Sequence, residues 1–503
     1  MFKRQPLIVE RRPTSRFWLA LGLIGLTAVL VGRPVYFIAR SAIVNARRET
    51  PTPAGYADDA SRLNRVRIAE IVHVDADSAG AESQLASLLR RAEEQKLKVS
   101  IAGARHTMGG HTIAANGIVI DMTTFKGVSL ARDGTLRVRA GTLWADVIPF
   151  LDRHGRSLRV MQSNNSFSVG GSLSANAHGW QQDHAPMAST VLGLRIMTAD
   201  GVVRVASRTE NHELFRLALG GYGLLGIILD AELETIPNEL YRMRRYETTS
   251  GEYERTYARQ VAGKPSVGMA YGRLSISPTS FLRDATLNVF TRQATDSERL
   301  PAVTTPGLLG VKRAVLRGSE HSEYGKSLRW TLERWLGELP GSNRFTRNQL
   351  LNEPAEFFAN TSDSTTDVLH EYFVPQGQLE RFVERIRPIL MQSRADLLNI
   401  TIRNVRPDSD SFLAYAREPV WGLVMLFTQE RSAAGERRMR DLTRDLVDAA
   451  LAVRGTYYLP YRLHATSDQF RRAYPMADRF FALKRKYDPG EIFSNAFYQA
   501  YAR

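Results

Sequence analysis

The chain has 503 residues, more than a single hydrophobic core organises, so two or more domains are expected. Its 43% hydrophobic and 24% charged residues are ordinary globular composition and exclude a chain disordered in bulk. The net charge of +15 is concentrated at one end: nine basic and two acidic residues lie in the first 50, and no basic run elsewhere is joined to aromatics, which argues against nucleic-acid binding. With no cysteine, disulfides, thiolate catalysis and cysteine-held metals are excluded, and no metal site is expected.

In chain order, residues 17–32 (FWLALGLIGLTAVLVG) come first and carry no charge. Extended to residue 39, this stretch spans a bilayer core if Arg33 reaches an interface. Lys3, Arg4, Arg11, Arg12 and Arg16 precede it and favour a cytoplasmic N-terminus, with the catalytic body on the non-cytoplasmic side of the membrane. Arg33, Arg40, Arg47 and Arg48 follow it and weaken that asymmetry; a signal peptide cleaved near residues 39–41 is the alternative. A single-pass anchor is therefore expected over residues 1–45 and a linker over 46–60, around Pro51 and Pro53.

Residues 67–122 read as strand, helix (81–95), strand (99–102), a glycine-rich loop and another strand (117–122). Asp133-Gly134 and Asp200-Gly201 each sit between alternating apolar runs and signal hairpins. Helical spacing recurs at residues 143–153 and 211–219, and residues 227–236 alternate as a strand. After Pro237 the texture turns to basic, Tyr- and Arg-rich strands (241–246, 267–275, 285–291), then an irregular stretch (295–345). From about residue 366 strands and helices resume, with an amphipathic helix at 378–391. This is an α+β pattern, divided into a first domain over 61–237, a second over 238–465 and a tail over 466–503 that returns to the first.

Three segments carry chemistry. Residues 101–122 set His106 among Gly103, Gly109 and Gly110, a loop whose backbone N–H groups can approach an anion. Residues 164–179 combine Gly170, Gly171 and Gly179 with Ser168, Ser172, Ser174 and Asn176, which suits a surface lying against a planar polar ligand. The third, Gly221-Tyr-Gly-Leu-Leu-Gly226, matches the dinucleotide pattern G-x-G-x-x-G letter for letter. A Rossmann site needs strand, turn, then helix; here a helix precedes the glycines and a strand follows, so that site is not expected.

Together the three resemble the FAD-linked oxidase family of the vanillyl-alcohol oxidase (PCMH) type. Gly103-Ala-Arg-His-Thr-Met-Gly-Gly110 corresponds to its pyrophosphate loop, Ser168-Val-Gly-Gly-Ser-Leu-Ser-Ala-Asn-Ala-His-Gly179 to its second segment, and Gly220-Gly-Tyr-Gly-Leu-Leu-Gly-Ile-Ile228 to its third turn. The resemblance is close over residues 60–237, loose beyond, and nearest to the sugar-lactone, alditol and polyprenylphosphoryl-ribose oxidase branches. It implies a two-subdomain FAD-binding domain, a substrate-binding cap and FAD as cofactor. By the same token, Gly103, Ala104, Arg105, His106, Thr107, Gly109 and Gly110 would line the pyrophosphate side. Ser168, Gly170, Gly171, Ser172, Asn176 and Gly179 would face the flavin and ribityl groups, and Ile227 the adenine side. His106 is either bonded covalently to the flavin, as in many family members, or hydrogen-bonded near its edge; Arg105 stands where glycine is commoner. His178 is read as structural.

Substrate residues are sought further along. Alternation in residues 399–404 puts Thr401 and Arg403 on one face of a strand, and an inward arginine is costly unless an anionic group needs it. That strand resembles the E-I-R strand of the alditol and lactone oxidases, with Thr401 in place of the acid; Thr428 and Gln429 are lesser candidates nearby. Residues 457–464 gather Tyr458, Tyr461 and His464 as base or orienting candidates. The tail segment Lys484–Phe493 resembles the family's closing turn. The implied reaction is oxidation of a hydroxyl carbon of a sugar, sugar lactone or alditol by hydride transfer to flavin N5, with oxygen, a quinone or a carrier protein as acceptor. A lipid-linked sugar dehydrogenase and a flavin-less binding scaffold are the alternatives.

Overall fold

The computed structural model describes residues 32–44, 51–182, 184–294, 300–304, 309–336 and 343–502. Of the anchor segment expected over residues 1–45, residues 1–31 and 45 lie outside these and Arg33–Val44 is a helix. Among the described residues no helix is long and apolar enough to cross a membrane. The helix Arg33–Val44 lies along the helix Leu309–Arg317, with Phe37 set in a notch left by Gly318 and Gly325 and the Arg33 guanidinium 3.9 Å from the Tyr324 ring centre.

Three sheets organise the rest. The first is parallel, with Ile118–Asp121 between Glu70–His73 and Val99–Ala102. The helix Ser78–Glu94 makes the crossover; Ala81, Leu85, Leu88, Leu89 and Ala92 recur at helical spacing and form its buried stripe. Asp77 caps it, accepting a hydrogen bond from the Gly80 N–H at 3.0 Å. The second sheet is antiparallel and five-stranded, and both Asp-Gly hairpins fall in it: Val128–Leu130 pairs with Leu136–Arg139, and Val191–Met197 with Val203–Ser207. Ile227–Leu233 runs at its centre, preceded by the helix His212–Ala218. The order across the third glycine segment is thus helix, turn, strand.

The third sheet has eight strands in the order Arg344–Thr346, Leu240–Thr249, Asp284–Arg292, Val267–Leu274, Asp396–Val405, Val420–Glu430, Thr365–Pro375, Thr456–Tyr457. One face is covered by the helices Leu379–Ser393 and Ala433–Leu451. Phe382, Val383 and Ile386 are fully buried there, each worth about 1.5–3 kcal/mol of apolar burial. Alternate residues of the opposite face look toward the glycine segments. Two cross-strand rows on that face matter below: Arg245–Asn288–Tyr271, and Thr286–Arg273–Thr401–Val424–Glu371. The C-terminal segment returns to the first sheet, where the Val99 N–H donates to Ile492 O and the Ser494 N–H to Val99 O.

Two expectations about chain organisation are corrected. Residues 56–60 are not linker: Tyr56–Ala57 pairs with Val66–Arg67, and buried Asp59 accepts from the Gly110 N–H at 2.7 Å. The irregular stretch contains two helices, Leu309–Arg317 and Glu323–Leu336. The second is fastened by Arg329, which donates to Leu398 O at 2.7 Å and to Asn399 Oδ1 at 3.0 Å.

Candidate functional site

A cavity of about 1480 Å³ runs between the glycine segments and the inner face of the eight-stranded sheet. Gly103, Ala104, Arg105, His106 and Thr107 line it from the first segment; Ser168, Gly170, Gly171 and Ser172 from the second; Tyr222, Gly223, Gly226 and Ile228 from the third. The first two segments close on each other. A Cβ on Gly103 would stand 2.0 Å from Ser168 Oγ and would push that side chain aside, and the Ala104 N–H lies 3.4 Å from the same oxygen. Ser168 also caps the short helix Val169–Ser174 through the Gly171 N–H.

Arg105 takes the left-handed conformation (φ 55°), the backbone that glycine would adopt without strain. Its guanidinium compensates by donating to Asp121 Oδ2 at 3.0 Å, so the loop keeps its shape with arginine in place. His106 stands at the cavity wall, its Nε2 3.2 Å from Ser166 O and its ring against Phe167.

The residues fit an FAD-sized polar ligand by a test independent of motif. Thr107 Oγ1, Gln162 Oε1 and Asn164 Nδ2 are buried at the cavity wall with no hydrogen-bond partner in the protein. Burying such groups unsatisfied costs about 1–3 kcal/mol each, a cost that a bound ligand with both donors and acceptors removes.

Not every expected cofactor residue faces the cavity. Asn176 is spent internally: its Nδ2 donates to Asp408 Oδ2 at 2.8 Å and its Oδ1 accepts from the Ala188 N–H at 2.9 Å. Gly179 packs against Met161 O, where a Cβ would sit 2.0 Å away. Gly109 lies beneath the Tyr461 carbonyl and Gly110 is tied to Asp59, so both hold the loop's underside rather than the cavity wall. Ile227 is fully buried in strand pairing with Met197, and its neighbours Gly226 and Ile228 reach the cavity instead.

Among the substrate candidates, Arg403, Thr401, Tyr458 and Tyr461 line the cavity. The Arg403 Nη2 donates to Ser163 Oγ at 2.8 Å, and its Nε is buried without a partner. Tyr458 has its hydroxyl committed to Ala175 O at 2.9 Å, a positioning contact. Thr428 donates to Asp367 Oδ1 and Gln429 to Glu436 Oε2, neither at the cavity. His464 is corrected: it is buried behind the sheet between Glu436 and Thr443, with Nε2 2.8 Å from Glu436 Oε1 and Nδ1 2.9 Å from Thr443 Oγ1.

The residue that sequence reasoning missed is Glu371. Its carboxylate lines the cavity at 3% exposure, with Oε1 2.7 Å from His178 Nε2 and Oε2 accepting from the Tyr461 hydroxyl at 3.4 Å. His178 therefore lies against the carboxylate at the cavity wall, in close contact but without hydrogen-bond geometry between Nε2 and Oε1. Burial holds the Tyr461 hydroxyl well above the usual phenol range, and nearby Glu371 pushes it the same way, so it stays a donor. Period-two alternation was the available signal, because it puts Asp367, Leu369 and Glu371 on one face of the strand Thr365–Pro375.

Comparison with known proteins matches the region of the first two glycine segments. The FAD binding domain family matches residues 78–207. L-gulonolactone oxidase of Mus musculus is 30% identical over 156 residues, 31% of this chain and 35% of that protein. Cytokinin dehydrogenase 2 of Arabidopsis thaliana is 33% identical over 155 residues, 30% of this chain and 31% of that protein. Cytokinin dehydrogenase 7 of Oryza sativa subsp. japonica is 28% identical over 219 residues, 41% of this chain and 40% of that protein. These alignments span between about a third and two fifths of the relatives' length.

Proposed function

We propose that this chain, whose residues 78–207 match the FAD binding domain family, is an FAD-dependent oxidoreductase acting on the hydroxyl carbon of a sugar, sugar lactone or alditol. The observation that supports this reading is the continuity of one cavity from the glycine segments to Glu371, Tyr461 and Arg403. FAD, when bound, supplies the hydride acceptor and passes the electrons on to oxygen, a quinone or a carrier protein.

The chain's own residues account for the rest. Gly103, Thr107, Ser168 and Gly171 would hold the cofactor, with His106 at its edge as a bonding or hydrogen-bonding partner. The Glu371 carboxylate takes the substrate's hydroxyl proton on Oε1, which no hydrogen bond within the protein occupies, with the His178 ring packed 2.7 Å away. Tyr461 donates toward the same carboxylate and shields it from water, while the Arg403 charge offsets the negative charge that develops on the substrate oxygen. Hydroxyl-rich substrates suit a wall of Asn399 and Thr401, which supply neutral donors and acceptors.

The test is anaerobic mixing of purified protein with aldonolactones, alditols and aldoses while the flavin absorbance near 450 nm is followed, about where oxidised flavins absorb. Bleaching by one of these classes is expected. A flavin that responds to none of them but does respond to an unrelated amine or phenol would replace the substrate assignment.

A second reading, a dehydrogenase of a lipid-linked sugar, is favoured by one feature. Val315 and Leu316 of the helix Leu309–Arg317 line an apolar arm of the cavity with Phe357, Phe358 and Leu369, and the same helix carries Arg33–Val44. Bleaching by a polyprenyl-linked pentose and not by free sugars would select it.

A further inference from the structure

The cavity floor away from Glu371 holds more positive charge than the protein answers. Arg245, Arg273 and Arg329 all reach it, against Glu333 and Glu353. Glu333 is already shared, accepting from Arg273 Nη2 at 2.8 Å and from Arg329 Nε at 2.9 Å. Burial pushes the Glu353 carboxyl upward, in the direction of its neutral form. Arg245 is left with a neutral partner: its Nε donates to Asn288 Oδ1 at 2.8 Å. Its Nη1 is buried with no hydrogen-bond partner, and so is the Nδ2 of Asn288, a residue only 1% exposed. These two residues face each other across the strands Leu240–Thr249 and Asp284–Arg292, on the face that looks into the cavity.

A guanidinium nitrogen and an amide nitrogen, both buried donors left unanswered, are a costly pair unless an acceptor with negative charge arrives. Guanidinium donors match the paired oxygens of a carboxylate or phosphate. Resting on the oxidoreductase reading above, we propose that Arg245 and Asn288 form a subsite for an oxyanion of the substrate, so that the preferred donor is a hydroxyl compound bearing a carboxylate or phosphate remote from the oxidised carbon. The Glu371 end then handles the reacting hydroxyl, and the Arg245 end fixes the other end of the molecule.

The test is equilibrium binding to the flavin-loaded protein, read by perturbation of flavin absorbance and by melting temperature, with two matched pairs: D-gluconate against D-glucitol, and D-glucose 6-phosphate against D-glucose. At least one acid is expected to bind about tenfold or more tightly than its neutral partner, the order expected for a charge-assisted contact. Which acid wins separates carboxylate from phosphate. Arg245→Met should erase the preference while flavin content and neutral-compound binding persist; Asn288→Asp, which supplies the missing negative charge from within, should do the same in a folded protein. Equal binding of acids and neutral partners by the wild type would overturn the subsite, as would failure of both acids to bind, or survival of the preference in both variants. Failure of any compound to bleach the flavin would count against the reaction and leave this binding result intact.

Discussion

Glu371 shows how one buried side chain organises the reacting end of the cavity. Its carboxylate lies 2.7 Å from the His178 ring and within reach of the Tyr461 hydroxyl, with its own backbone carbonyl accepting from the Tyr458 N–H. Glu371→Gln keeps the volume and loses the proton acceptor. It is expected to retain flavin and to slow anaerobic bleaching by about 10²-fold or more, the range for a positioned base. A change of less than threefold, about 0.6 kcal/mol, would remove Glu371 from the reaction. Gly109 makes a different prediction. A Cβ there would stand 2.3 Å from the Tyr461 carbonyl oxygen, part of a backbone that cannot swing aside as a side chain tip would. Gly109→Ala is expected to destabilise the protein by about 1–3 kcal/mol and to displace Tyr461; denaturant melts would detect the first, and a loss in bleaching rate with flavin retained the second. Legibility at this scale followed chemistry that repeats locally. Arg403 was readable because alternation exposed an inward charge. Glu371 was not, because its neighbour His178 lies 193 positions away and only the fold brings them together. His464 misled because an aromatic, polar run reads alike whether it faces a cavity or, as here, an internal carboxylate.

At the scale of elements, His111 joins the first glycine segment to the third and to the C-terminal helix. Its ring sits 5.2 Å from Tyr222 of the third segment and 5.7 Å from Phe497 of the C-terminal helix. Burial holds His111 at about 3, down from 6.5, and burial does the same to His370 under the eight-stranded sheet. Each is neutral in the folded protein and titrates normally once unfolded, so the unfolded chain binds more protons below pH 6.5. Stability is therefore full above about 6.5 and falls as pH drops toward 3, at about 1.4 kcal/mol per pH unit for each ring. Denaturant melts between pH 7 and 5 should show this loss, and His111→Phe should reduce its slope; an unchanged slope would mean that His111 is protonated in the folded state. The hairpins, the crossover helix and the strands near residues 240–290 were all legible, since turn residues and periodicity are local signals. The helices Leu309–Arg317 and Glu323–Leu336 were not, because Gly318, Gly325 and the glycines around them read as breakers. In the fold Gly318 and Gly325 make room for Phe37.

Across the whole molecule, the first domain supplies a cradle of small residues and the large sheet supplies charge and hydroxyls, and the C-terminal segment holds one to the other. Asn495 donates to both His111 O and Tyr222 O, so the last helices tie the first and third glycine segments together. The convergence of three segments spread over more than a hundred residues rests on an assumption that a sequence states only indirectly, namely that a common ligand lies between them. The most direct test is the cofactor content of the purified full-length protein. An absorbance spectrum with flavin bands and close to one FAD per chain is predicted, with colour remaining in the acid precipitate if His106 carries the bond and passing to the supernatant if it does not. A folded, colourless protein that takes up no added FAD would contradict the account.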